Sequence, residues 1–327
     1  MMIANFDLIK KLTYGAVEII DNNGTYEFHR MTEAQREILK GNQDFATKAT
    51  ATTGIRLAFA TDAEQIRLAG SFSAASTRKF AFFDIVVNGV LVQHSGSENH
   101  FEQPDFDFII PLDGKFNRVE IYCPCLARTV LKTGYFSDGC RIEPIRKSRK
   151  ILCYGDSITQ GYDAVYPSLA YANMVADAFD AEIFNQAIGG EIFNPPFADA
   201  PDEFKPDFIT DAYCTNYWKK GVSSENFTKN ATEFSANLNK HYPGIPVYAI
   251  LPIWRKDMAD TRNSGKLDDA IELLKAVYSQ FDSITVIDGM PLVPHLPEFY
   301  ADGYLHPNDT GFLLYGNNLL KAIKTFL

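Results

Sequence analysis

Residues 151–161, ILCYGDSITQG, constrain the fold of this chain more than any other stretch. Ile151, Leu152 and Cys153 form an apolar run suited to a short buried strand, Gly155-Asp156-Ser157 turns sharply, and the residues that follow can open a helix. Such a junction sets the Ser157 hydroxyl at the carboxyl edge of an open α/β sheet, where folds of this class hold their ligands. A helix-capping serine would account for Ser157 alone equally well. The balance shifts with residues 302–308, DGYLHPN, which stand just before the last helical stretch. A serine early and a histidine late is what nucleophilic acyl transfer requires, because a hydroxyl attacks poorly without an adjacent base.

The hydrophobic period changes on either side of Lys150. From residue 54 to about 125 it is two: Ile55, Leu57 and Phe59 alternate with Arg56 and Ala58, Ile66 and Leu68 repeat the scheme, and Val119 and Ile121 follow it again. Asn88-Gly89 between apolar runs marks a two-residue hairpin. Short strands at regular spacing imply an antiparallel sandwich, so residues 1–145 are read as an all-β sandwich of jelly-roll type, interrupted by one short helix at 32–40. The basic run 146–150 is read as a solvated connector. Beyond it, strands expected at 151–154, 182–185, 208–212, 247–251 and 285–287 alternate with helical stretches. Phe227, Ala231, Phe234 and Leu238 fall on one helical face, as do Leu267, Ile271, Leu274 and Phe281. That alternation predicts a parallel sheet with helices on both faces over residues 146–327.

GDSITQG, the pair Gly189-Gly190, Asn216 in YCTN, and Asp302 with His306 resemble the four blocks of the SGNH (GDSL) hydrolases. The resemblance covers the second half of the chain. It implies a flavodoxin-like three-layer α/β/α domain and ester hydrolysis without a cofactor. It also implies roles: Ser157 as nucleophile, His306 as base, Asp302 as the acid behind it, and an oxyanion site made by Ser157, Gly190 and Asn216. Asp156 is expected to accept amide hydrogen bonds within its own turn.

Three positions depart from the family pattern. Cys214 stands where the third block usually has glycine, Ala187 occupies the first small position of the second block, and Asp302 precedes His306 by three intervening residues instead of two. Either Asp302 reaches the imidazole through a bulge that Gly303 permits, or His306 is oriented by a backbone carbonyl in a Ser-His dyad. Trp218 and Trp254 are candidate platforms for a sugar ring and Arg255 a candidate for an anionic substrate group; each could instead be structural.

A sandwich ahead of such a domain resembles carbohydrate esterases, so removal of a short acyl group, acetyl foremost, from a carbohydrate is the leading expectation. A lysophospholipase or thioesterase, and a carbohydrate-binding protein with a decayed site, are the alternatives. The net charge of −10 argues against nucleic-acid binding. No stretch is long and apolar enough to span a bilayer. The odd count of five cysteines suits reduced thiols and a cytoplasmic protein. Cys123-Pro124-Cys125 has no second Cys/His pair, and no metal site is expected.

Overall fold

The computed structural model describes residues 2–201 and 203–326, apart from the side chain of Thr133. The alternating apolar positions of the first part face one another across a shared core. One antiparallel sheet runs in the order Glu18–Asp21, Tyr26–His29, Ala127–Phe136, Gln65–Ala74, Asp105–Pro111. The other runs Ile142–Pro144, Arg56–Thr61, Asn117–Tyr122, Ala81–Val87, Val90–Ser97. Phe59 and Phe136, from opposite sheets, meet edge-on with ring centroids 5.4 Å apart, and Phe72 and Phe83 meet at 5.6 Å. Ile66, Leu68, Val119 and Ile121 close the same core. The hairpin forms at Asn88-Gly89, both at positive φ (51° and 82°), with Val87 paired to Val90. This is the turn whose twist matches that of paired strands.

The second part is a parallel sheet in the order Ala181–Asn185, Arg149–Gly155, Phe208–Ala212, Val247–Ile250, Ile284–Ile287. Numbered along the chain this is 2-1-3-4-5, the flavodoxin-like order. Along strand Arg149–Gly155, which is flanked on both sides, Leu152 and Tyr154 enter one core while Ile151 and Cys153 enter the other, so both faces are covered. Helices Ser224–His241 and Leu267–Tyr278 pack on the first face, and Tyr171–Ala178 and Asp309–Lys324 on the second. Phe227, Ala231, Phe234 and Leu238 are all buried, as the helical spacing requires. Phe281 lies just beyond the end of its helix and is only partly buried.

The first part holds more helix than its sequence pattern suggests. The expected helix forms at Glu33–Leu39, with a capping box of Thr32 and Gln35, but Phe6–Leu12 and Gln43–Ala49 are also helical. Each has only seven residues, too few for an amphipathic period to stand out. Met31, Leu39 and Ala49 join the core of the parallel-sheet domain, not that of the sandwich. The basic connector is only partly solvated: Arg146, Ser148 and Arg149 are exposed, but Lys147 turns inward. The Lys147 side chain is 3% exposed and pairs with Glu120 at 3.3 Å, and Arg149 lies over the ring of Phe179. Buried Arg56 completes the joint, donating to Tyr122 Oη (2.9 Å) and Ala181 O (3.0 Å) and pairing with Asp177.

Candidate active site

Ser157 opens the short helix Ser157–Gln160 directly after strand Arg149–Gly155, at the point where the chain order of the sheet reverses. Asp156 caps this helix by accepting from Ile158 N at 3.1 Å, as its turn position suggested. A Cβ at Gly155 would come 2.3 Å from Thr159 Oγ1, so only glycine lets the strand turn this tightly. The N–H of Ser157 is the first of its helix and has no carbonyl one turn back to reach.

His306 arrives from the far end of the chain. Its Nε2 lies 2.9 Å from Ser157 Oγ, and its Nδ1 lies 2.8 Å from Asp302 Oδ2. The other oxygen of Asp302 accepts from the backbone N–H groups of Tyr304 (2.9 Å), Leu305 (2.8 Å) and His306 (3.2 Å). Burial opposes the charge on Asp302, but the His306 hydrogen bond and these amides hold its carboxyl well below the usual carboxylate range. Gly303 at φ 61° makes the turn that brings the acid back to the ring. With a carboxylate on Nδ1, the imidazole carries its proton there and leaves Nε2 free to accept from the serine.

Gly189 N–H donates to Gln160 Oε1 at 2.7 Å, whereas no partner for the Gly190 N–H occurs among the described residues. The Gly190 N–H is thus uncommitted to any of them. Asn216 sits differently from its expected place in the oxyanion site. Its Nδ2 donates to Asp156 Oδ2 and to Glu191 O, both at 3.1 Å, tying the first and second loops together. Cys214, at the usual glycine position, keeps a backbone of φ 112° that side chains rarely adopt.

Trp218 and Arg255 do not line the site. Trp218 is fully buried, its Nε1 donating to Gly265 O at 3.0 Å, with the guanidinium of Arg255 4.9 Å above its ring. Arg255 is 1% exposed and is engaged by Asp257 (2.5 Å) and Thr215 Oγ1 (2.7 Å), so neither has a face to offer a substrate. Trp254 is half-buried, 4.9 Å from the ring of Tyr300 and stacked near His295.

The pattern of blocks gave no sign of what holds the second loop. Arg30, wholly buried, donates to Asn185 O and Ala187 O (2.7 Å each) and to Ala51 O and Lys48 O (3.0 Å each). Lys48 Nζ reaches Gly189 O at 2.9 Å, and Gln35 bonds Gln186 at 2.7 Å. Beneath the loop Glu191 is fully buried, and burial raises its carboxyl to about 8. A lone arginine between Phe28-His29 and Met31 carries no local signal of this role.

Among the described residues, Asp163, Asp302 and His306 each bring one potential metal ligand within 4.8 Å of the others. Arg78 already takes both oxygens of Asp163, and His306 is shared between Ser157 and Asp302, so the donor set is spent on protein partners.

The comparisons with known proteins agree with this layout. A model of the GDSL-like lipase/acylhydrolase family matches residues 153–313, which span the serine turn and the histidine loop. The parallel-sheet domain belongs to that family. As a GDSL-like acylhydrolase with a sandwich ahead of its catalytic domain, the chain is an ester hydrolase of the SGNH type. No curated protein sequence matches it. Its fold is similar over both domains to a salicylyl-acyltransferase, SsfX3, from a tetracycline biosynthetic pathway (TM-score 0.83, 19% identity, 96% of this chain and 94% of that one). It is also similar to a family two carbohydrate esterase from Cellvibrio japonicus (0.67, 15%, 99% and 96%). A third likeness is to an acetyl xylan esterase, Est2A, from Butyrivibrio proteoclasticus (0.62, 12%, 96% and 98%).

Proposed function

We propose that the protein is a serine esterase that removes a short acyl group, acetyl foremost, from a carbohydrate, through an acyl-enzyme intermediate. The observation that carries this reading is the continuous line Ser157 Oγ, His306 Nε2, His306 Nδ1, Asp302 Oδ2, with steps of 2.9 and 2.8 Å at its two hydrogen bonds. Ser157 Oγ attacks the ester carbonyl as its proton passes to Nε2. The oxyanion so formed is met by the N–H groups of Ser157 and Gly190. Collapse breaks the carbon–oxygen bond to the sugar, and the imidazolium returns its proton to the departing alkoxide. Water, deprotonated by the same nitrogen, then attacks the acyl-serine and frees the carboxylic acid. Asn216 joins the oxyanion site if one amide hydrogen leaves Asp156 or Glu191. The surroundings, Arg78, Asp163, Lys48 and Lys220, are polar and suit a hydroxylated substrate with a small acyl group better than a lipid tail. The carbohydrate esterases of similar fold support the sugar.

A second reading is favoured by the salicylyl-acyltransferase, whose fold matches over both domains: an alcohol in place of water takes the acyl group. Both readings use the same acyl-enzyme, and a single assay series separates them. p-Nitrophenyl esters of graded chain length and acetylated oligosaccharides are hydrolysed with and without added alcohol acceptors. Acetyl turnover at least tenfold above octanoyl, lost in Ser157→Ala, is expected. A preference for long chains, or persistent activity in Ser157→Ala, overturns the proposal, and ester product in place of free acid selects transfer.

A further inference from the structure

The β-sandwich reaches the histidine. Arg78, in the loop between strands Gln65–Ala74 and Ala81–Val87, donates through Nε and Nη2 to the two oxygens of Asp163, at 2.6 and 2.7 Å. Asp163 Oδ2 lies 3.8 Å from His306 Nδ1, on the side of the ring that also faces Asp302. Asp163 holds a left-handed backbone, φ 69°, which aspartate tolerates better than most residues but which still needs support from its surroundings. The Arg78 guanidinium also covers the ring of Tyr162 at 5.2 Å, and Tyr162 lies 5.6 Å from the imidazole. The sandwich, the serine loop and the histidine loop thus converge on one charged cluster.

We infer that Arg78 and Asp163 are a positioning pair for His306, through which the sandwich sets the pH at which the histidine becomes a base; this rests on the reading of His306 as the general base. Two carboxylates on one imidazole would hold it protonated too far up the pH scale, because opposite charge within a few ångströms favours the charged form. The bidentate guanidinium neutralises the second carboxylate while leaving it in place. The groups facing His306 are Asp302 from its own loop, Asp156, Tyr162 and Asp163 from the serine segment, and Arg78 from the sandwich; Asp156 and the ring act on each other, as do Arg78 and Asp302. In that field the two partners of the pair pull in opposite directions.

Opposite signs give the test. Asp163→Asn removes a negative charge and leaves Arg78 unneutralised, so the acidic limb of kcat/KM moves to lower pH. Arg78→Gln leaves Asp163 unpaired beside the ring, so the limb moves to higher pH. A separation of about one pH unit between the two variants is expected, at the low end of what an adjacent charge produces. Arg78→Lys, which keeps the charge, returns most of the way to wild type. Limbs that coincide, or that move together, overturn the inference, and a fall in kcat with no displacement marks the pair as merely structural. Because an altered rate could mask a limb, the His306 ring is also titrated by NMR in full-length Ser157→Ala protein carrying each substitution, with the same opposite displacements expected and their absence again overturning it. His306→Ala activity separates the two claims: an active His306→Ala sinks the general-base reading itself, whereas an inactive one with unmoved titrations sinks only the positioning pair.

Discussion

Asp302 takes the Nδ1 side of His306 at 2.8 Å although three residues separate the two in the chain. The reach is possible because the segment folds on itself. Asp302 accepts three successive backbone amides, Gly303 turns at φ 61°, and Ala301 N closes the loop onto His306 O at 2.8 Å. The geometry of a triad is therefore complete without the shorter spacing usual in the family.

Asp302→Asn tests whether that contact is used. A carboxamide cannot fix the tautomer that leaves Nε2 free, and in a trypsin-type triad that loss is worth about four orders of magnitude. A fall in kcat/KM of several orders of magnitude with an unchanged thermal midpoint is expected. A rate within about tenfold of wild type, roughly 1.4 kcal/mol, would show that the bond orients nothing in catalysis.

Cys214 carries a Cβ where φ is 112°. Strain of this kind costs on the order of 1–3 kcal/mol. Glycine is ordinarily less stable than alanine within a folded element, by roughly 0.5–1 kcal/mol. Here the order reverses: in urea melts Cys214→Gly is expected to be more stable than Cys214→Ala by about 1 kcal/mol, the lower end of that strain. Alanine proving the more stable of the two would show that the surrounding packing relieves the strain.

Glu191 makes stability depend on pH in an unusual direction. Folded, it keeps its proton to about pH 8, because burial disfavours the carboxylate; unfolded, it releases it near its ordinary 4.5. Between these values the folded state binds more protons, so raising the pH removes stability. Asp211, pushed up to about 7, and Asp156, to about 6, act in the same sense over narrower windows. The melting temperature is expected to fall from about pH 5 to about pH 8. Glu191→Gln, neutral throughout, should melt several degrees above wild type at the upper end of that range and close to it at the lower end. Parallel melting curves across the range would show that Glu191 is already ionised in the folded protein.

Much of the fold was legible from local pattern. Period-two alternation through Ile66, Leu68, Val119 and Ile121 marked the sandwich, and the run at 151–154 marked a buried parallel strand, because burial on one face or on both leaves its period in the sequence. The serine turn and the histidine loop were legible for a different reason: tight turns and reactive groups restrict residue identity at single positions. Tertiary structure alone decided the rest. Whether Asp302 reaches His306 depends on a loop conformation that spacing does not specify. Trp218 is interior because helix Thr215–Lys220 turns it onto Gly265, and Arg255 because Thr215 and Asp257 close around its guanidinium, both matters of how elements pack. Arg30, Lys48 and Arg78 act on loops far away in the chain, through bonds to backbone carbonyls and to one carboxylate. A backbone carbonyl looks the same in every residue, so its partner leaves no mark on the sequence, and only the folded chain shows which arginine or lysine it meets.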